Sequence, residues 1–313
     1  MELDNTSQES VKYLTQQGMD IYLAVSANES RCTGLLEKVD VSNIGHKIAL
    51  SFTDQKKTQI REQNDNRFKS LGFILTGVPS CEVSVLHEIL DPICIQNFKD
   101  KFNILIDYSC MTQVWYNEII NYFLKLEEQC SNISLWFAYS PAAYNKPETI
   151  LNKFSYQAIP EGKPDKPLAL IIGLGYDKGR TEELAQKINA QAVYAFYPDP
   201  SMDDRYVNDL LKHNLGLLKK IDQSNIVPYP LYDLNSTNSL ITALCVNLRL
   251  KYRIVLASVG PKTFSLLSYI LSARYPDITI WNVTAGPNQA NDRKPNGDLL
   301  LYKAEFTSEE VDY

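Results

Sequence analysis

Four short runs, Ile21–Val25, Ile104–Ile106, Leu168–Ile172 and Ile254–Ala257, are apolar at every position. A strand with one wet face alternates polar and apolar residues. An uninterrupted run therefore predicts a strand covered on both faces, as in a parallel sheet flanked by helices. Amphipathic or polar stretches separate these runs, and that alternation argues for an α/β chain of Rossmann-like units.

In the first half, strands are expected at Ile21–Ser26, Lys47–Phe52, Glu82–Leu86, Asn103–Ser109 and Ile133–Tyr139. Helices are expected around Cys32–Val39, from Arg67 through Leu75, over 93–102 and over 111–127. The second half repeats the plan. Its strands are Leu168–Ile172, Ala192–Tyr197, Ile226–Leu231, Arg253–Ala257 and Ile278–Val283, and its helices are Thr181–Ile188, 203–221, Ser236–Arg249 (capped by Asn235 or Ser236) and one starting at Pro261. Leu299–Phe306 reads as a further edge strand. The steps from Asp20 to Asn103 and from Leu168 to Arg253 are nearly equal, which points to two tandem, pseudo-duplicated Rossmann-like domains. The resulting division is a polar N-terminal extension (1–18), domain 1 (19–145), a Pro/Lys/Asn-rich linker (146–166) and domain 2 (167–313).

Arg253–Phe264 gives the clearest local prediction. Its apolar run stops at Gly260, and Pro261 suits a first helical position, because its fixed φ is helical and its missing N–H would have no partner there. A strand that runs into a helix in this way exposes unpaired N–H groups and the positive end of the helix dipole, and Lys262 lies in the first turn. That is a recipe for holding phosphate; the competing reading is a turn beside a solvated lysine.

The net charge of -6 removes the basic footprint expected of duplex nucleic-acid binding. Six cysteines without a Cys-x-x-Cys pair read as small buried hydrophobes in a reducing compartment, and three dispersed histidines give no metal-ligand spacing. The polar, acidic N-terminus is unlike a secretory signal, and no apolar run nears the roughly 18 residues that span a bilayer. A cytoplasmic protein, with no membrane contact, metal or resident cofactor, is expected.

Ligands of open parallel sheets bind beyond the carboxyl ends of the strands where strand order reverses, beside the first and fourth strands of each unit. That rule selects four loops: Ser26–Arg31, Asp107–Thr112, Gly173–Arg180 and Ser258–Thr263. From them come the candidate ligand-binding residues Ser26, Glu29, Arg31, Asp107, Ser109, Gly173, Gly175, Arg180, Ser258, Gly260, Lys262 and Thr263. Each loop is equally readable as an ordinary helix cap. The spacing Gly173-x-Gly175-x-x-x-Gly179 is one residue longer than a dinucleotide fingerprint, and the side chains of Asp177 and Arg180 crowd the place where a pyrophosphate approaches backbone. Asp107 is the candidate acid should the chain be an enzyme; an acceptor for loop N–H groups is the alternative.

The junction Ser258-Val-Gly-Pro-Lys262-Thr263 resembles the fourth-strand motif of the CRISPR-associated Rossmann fold, a Gly-rich turn ending in Thr-Lys or Ser-Lys. Asp107-Tyr-Ser109-Cys-Met-Thr112 looks like a lysine-free version of it. The second-half motif has one glycine rather than two and sets Pro261 before the lysine. The resemblance implies a non-catalytic sensor or regulatory subunit of bacterial antiviral defence. It would bind a nucleotide, an oligonucleotide or another small phosphorylated signal, and would relay it to a partner effector or ATPase. Arg31, Arg180 and Lys262 would then meet phosphate. Two rivals stand beside it: a ligand-free scaffold that docks an ATPase or nuclease, and a nucleotide or phosphoester hydrolase using Asp107.

Overall fold

The protein, seen in a computed structural model, is described over residues 1–94, 101–126, 132–144, 154–156, 166–176, 179–201, 204–285 and 292–308. It divides into two compact units, Met1–Ala143 with Pro287–Tyr313, and Tyr144–Gly286. Both are α/β, with parallel-dominated, Rossmann-like sheets.

The first unit contains strands β1 (Glu2–Glu9), β2 (Ile21–Ser26), β3 (His46–Phe52), β4 (Ile74–Val78), β5 (Lys101–Asp107) and β6 (Asn132–Tyr139), with helices α1 (Val11–Leu14), α2 (Gln59–Ser70), α3 (Ser84–Cys94) and α4 (Gln113–Lys125). The second contains β7 (Phe154–Tyr156), β8 (Leu168–Gly173), β9 (Ala192–Pro198), β10 (Ile226–Tyr229), β11 (Arg253–Ser258), β12 (Thr279–Trp281) and β13 (Val283–Ala285). Its helices are α5 (Arg180–Ile188), α6 (Asp204–His213), α7 (Leu215–Leu218), α8 (Leu234–Arg249) and α9 (Lys262–Arg274). The last strand, β14 (Leu300–Thr307), returns to the first unit.

The first sheet has the order β1-β14-β6-β5-β2-β3-β4, the second β10-β9-β8-β11-β12, and β7 pairs with β13 on its own. Numbered along the chain within each unit, the parallel strands of both follow 3-2-1-4-5, so each sheet reverses its order between its first strand and its fourth. The apolar runs become these central strands. All six residues of β2 are buried, and in the second unit Leu170, Ile172, Val255 and Ala257 pack with Leu174, Leu184, Ile188 and Trp281.

Several expected elements are redrawn. Leu71, Ile74 and Leu75 carry helical spacing, but Gly72 takes φ 79°, α2 stops at Ser70, and Ile74–Val78 pairs with β3 as the third strand. Glu82–Leu86, expected as that strand, leads into α3, whose buried face continues through Leu86, Leu90 and Ile93. The helix expected around Cys32–Val39 is two short 3₁₀ turns, Ser30–Thr33 and Leu35–Glu37. Asp233, rather than Asn235 or Ser236, caps α8 by accepting from the Ser236 N–H at 2.8 Å. Pro261 flanks α9 at its N-cap, one place before its expected position. The linker expected at 146–166 lies mostly outside the described residues.

The domain bounds change at both chain ends. The N-terminal extension forms β1, and the expected last strand of domain 2 forms β14, which lies antiparallel between β6 and β1 in the first sheet. Leu300, Tyr302, Ala304 and Phe306 are buried, and so are Leu301 and Lys303 on the other face, so β14 is an interior strand. The polar strand β1 takes the sheet edge, where charge and a register shift near Leu3 and Asn5 discourage further pairing.

Candidate functional site

In the first unit, the loops after β2 and β5 lie side by side because Ile21–Leu23 pairs with Ile104–Ile106. Ser26 ends β2 fully buried, and its hydroxyl donates to Asp65 Oδ1 on α2 at 2.6 Å. Asp65 also accepts from Arg61 Nε at 2.8 Å, and Lys57 Nζ stands 2.8 Å from its other oxygen. Burial works to raise the Asp65 pKa, but the hydrogen bonds from Lys57, Ser26 and Arg61 outweigh it and hold the carboxyl below its ordinary value. Asn64 donates to the carbonyls of Ala27 and Glu29, and Asn28 accepts from the Thr58 N–H and hydroxyl. These contacts bolt the loop after β2 to α2.

Arg31 is only 2% exposed. Its Nε meets Glu29 Oε2 at 2.6 Å, and one terminal nitrogen donates to the Ser140 carbonyl at 3.3 Å and the Tyr139 hydroxyl at 3.4 Å. Burial opposes its charge, yet Glu29 and Tyr139 more than offset this and its pKa is raised. Asp107, 2% exposed, accepts from the Ser109 N–H at 3.0 Å, and the Ser109 hydroxyl accepts from the Ser140 N–H at 2.8 Å. Asp107 thus orders its own loop, which is the structural role open to it in the sequence. Sequence spacing brought Ser26, Glu29, Arg31, Asp107 and Ser109 to one end of the sheet, and the structure places them there.

Residues 292–297 lie across the same loops. Asp292 accepts from the Ser30 N–H at 2.7 Å and from its hydroxyl at 2.8 Å, while the Arg31 N–H reaches the Arg293 carbonyl at 3.3 Å. Ala143 and Asn296 donate to the carbonyls of Lys294 and Pro141, and Lys38 donates to the Gly297 carbonyl. Nothing local to the loop after β2 announces a covering segment more than 250 residues away.

The second unit fills the corresponding place with backbone. The Val259 N–H donates to the Gly173 carbonyl at 3.1 Å. A Cβ on Gly175 would fall onto the Val259 carbonyl, one on Gly260 onto the Leu174 carbonyl, and one on Gly173 would sit 2.5 Å from the Phe264 ring. The glycines expected to admit phosphate let the loops after β8 and β11 cross main chain on main chain. Asn214 donates to the Gly175 carbonyl at 2.8 Å and accepts from the Thr181 hydroxyl, and a ring nitrogen of His213 lies 2.6 Å from the Tyr176 carbonyl. Neither Asn214 nor His213 stood out in the sequence, because their partners lie more than thirty residues upstream.

Ser258 is buried and accepts from the Ser265 hydroxyl at 2.6 Å. Arg180 opens α5 and is 8% exposed. Lys262 opens α9 and is half-buried, and Thr263 beside it is fully buried with its hydroxyl lacking a hydrogen-bond partner. Asp177 lies outside the described residues. A concavity of about 430 Å³ opens at the other end of the first sheet, lined by Leu36, Val39, Asp40, Lys47, Ser70 and Leu71 and by none of the candidate residues. Among the described residues there is no group of three His, Cys, Asp or Glu side chains arranged to hold a metal ion, and no helix is long and apolar enough to cross a membrane. Cys32, Cys94, Cys110 and Cys245 are buried and Cys81 is exposed, while Cys130 lies outside the described residues. No protein-family model matches the chain, and no curated protein is similar to it at a significant level.

Proposed function

We propose that the chain is a non-catalytic adaptor, a pair of Rossmann-like units that docks a partner protein. The observation that carries this reading is that the protein's own atoms occupy the ligand-binding edge of each sheet. In the first unit Arg31 is neutralised by Glu29 and lies beneath residues 292–297; in the second, Gly175 and Gly260 bring two main chains into contact where a pyrophosphate would need room. Catalysis at Asp107 has little support, since a carboxylate 2% exposed and bonded to its own loop is poorly placed to exchange a proton with a substrate. The partner would be an ATPase or nuclease, and the repeated strand order is read as a divergent duplication.

A second reading keeps one specific observation. The first turn of α9 joins a half-buried lysine to a buried hydroxyl without a partner, a combination suited to the phosphate of a signalling nucleotide. Native mass spectrometry of protein purified from its host separates the two readings. A retained protein and no retained nucleotide supports the adaptor; a retained nucleotide overturns it in favour of sensing. In the latter case Lys262→Ala weakens binding about tenfold or more by calorimetry, the strength of a charge-assisted hydrogen bond.

A further inference from the structure

Two of the buried cysteines meet. Cys32 lies in the 3₁₀ turn Ser30–Thr33 after β2 and Cys110 in the loop after β5, and the pairing of Ile21–Leu23 with Ile104–Ile106 sets these loops side by side. Cys32 Sγ stands 4.0 Å from the Ala27 carbonyl, and its N–H donates to the Glu29 carbonyl at 3.3 Å. From the other loop, Cys110 Sγ stands 4.0 Å from Glu29 Oε2. Both sulfurs thus converge on residues 27–29, and the two thiols are hydrogen-bonded to each other. The other described cysteines are placed differently: Cys81 is exposed, Cys94 lies on α3 beside Tyr122, and Cys245 lies on α8 of the second unit.

A buried cysteine by itself is most simply a small hydrophobe. Two in contact differ, because the second thiol is the group that an oxidised first thiol condenses with, and the fold has already brought it there. Exposure separates their roles. Cys110 is 8% exposed and lies at the rim, beside the Glu29 carboxylate and the Arg31 guanidinium, whereas Cys32 is 1% exposed. An oxidant as small as a hydroperoxide therefore meets Cys110 first. Burial, and then the hydrogen bond with Cys110, push the Cys32 thiol well above its ordinary pKa, so Cys32 keeps its proton and reacts second.

We propose that Cys32 and Cys110 are a redox pair, which closes to a disulfide when a hydroperoxide reaches it and fastens the loop after β2 to the loop after β5. In the first step Cys110 sulfur, giving up its proton, attacks hydrogen peroxide; an S–O bond forms, the O–O bond breaks, and one water leaves. In the second, Cys32 sulfur attacks the Cys110 sulfenic acid; the S–S bond forms, the S–O bond breaks, and the hydroxyl leaves as water with the Cys32 proton. The thiols together lose two electrons and two protons, and the peroxide becomes two waters. Closure draws Cys110 Sγ away from Glu29 Oε2, the oxygen that meets Arg31 Nε at 2.6 Å, so the bond acts at the carboxyl edge of the first sheet. The proposal rests on neither reading of the function, because it needs no ligand and no partner protein.

Treating the full chain with a small molar excess of hydrogen peroxide, blocking the remaining thiols and mapping peptides by mass spectrometry without reduction tests it. The expected result is a peptide pair linked through Cys32 and Cys110, released by dithiothreitol, while Cys94 and Cys245 stay thiols. Amide exchange over 28–32 and 108–112 should slow about tenfold on oxidation and recover on reduction. In Cys110→Ser the link should be lost, and Cys32 should stay a thiol under the same treatment. The proposal is overturned when both cysteines remain thiols under conditions that oxidise the exposed Cys81, or when the link forms only after the chain is unfolded in urea. It is also overturned by a link that leaves exchange in the two loops unchanged, or by a Cys32 that oxidises as fast in Cys110→Ser as in the unaltered chain.

Discussion

The two units share the 3-2-1-4-5 strand order and close the same place by opposite means. In the first, charged side chains fill the edge: Asp65 gathers Ser26, Arg61 and Lys57, and Glu29 holds Arg31. In the second, glycines remove side chains so that two loops meet backbone to backbone. A switch point in an open sheet is a gap the fold creates, and a gap can be filled by a ligand, by buried ion pairs or by main chain. The glycines and cations that signal a phosphate site in sequence are also the residues the other two solutions need.

That contrast is broken most forcefully at Asp65. Asp65→Ala leaves Arg61, 2% exposed, without its carboxylate, and should cost about 3–5 kcal/mol in denaturant unfolding followed by hydrogen exchange in β2 and β5. A loss below about 1 kcal/mol would mean that the polar cluster is not what holds the first unit's edge. Gly175→Ala should cost about 1–3 kcal/mol, because the new methyl forces the Val259 carbonyl to move, and the lost protection should fall in β8 and β11 while β2 stays protected. Loss spread evenly over both units would mean that the backbone crossing is not specific to the second unit's edge.

Acid sharpens the comparison. The folded Asp65 pKa is depressed, so its contribution is fully present above the unfolded value of about 3.8 and is lost as pH falls through the lower folded value. Below about pH 4, β2 and β5 should lose protection before β8 and β11 if this carboxylate dominates; the reverse order would point to other groups. The smallest effect is expected at Asp292→Ala. That change removes the acceptor of the Ser30 N–H and hydroxyl and should cost about 1 kcal/mol, with faster exchange at Ser30 and Arg31 as the readout.

Much of the fold was legible where the cause is local. Strands β2, β8 and β11 were readable because a run buried on both faces has no polar residue to place, and α8 and α9 because their spacing and flanking residues mark them. The third strand of the first unit was misread because Leu71, Ile74 and Leu75 fit a helix, although Gly72 and its left-handed φ supplied a stop. The candidate loops came to the correct strand ends, since that follows from alternation and topology. Their interior contacts did not, because an aspartate that caps its own loop and one that meets a substrate look alike in sequence.

Taken alone, the chain's amino-acid order decided the central strands of each half, that each half builds a parallel sheet, and which loops gather at its carboxyl edge, because burial periodicity and turn chemistry act over a few residues. The folded chain decided that β14 joins the first sheet, that Asp292 reaches Ser30, and that Gly175 and Gly260 receive backbone. Those outcomes depend on which distant surfaces meet. Strand pairing and close packing between segments far apart in the chain are settled by the shape and polarity of the whole unit, and a local pattern carries no record of them.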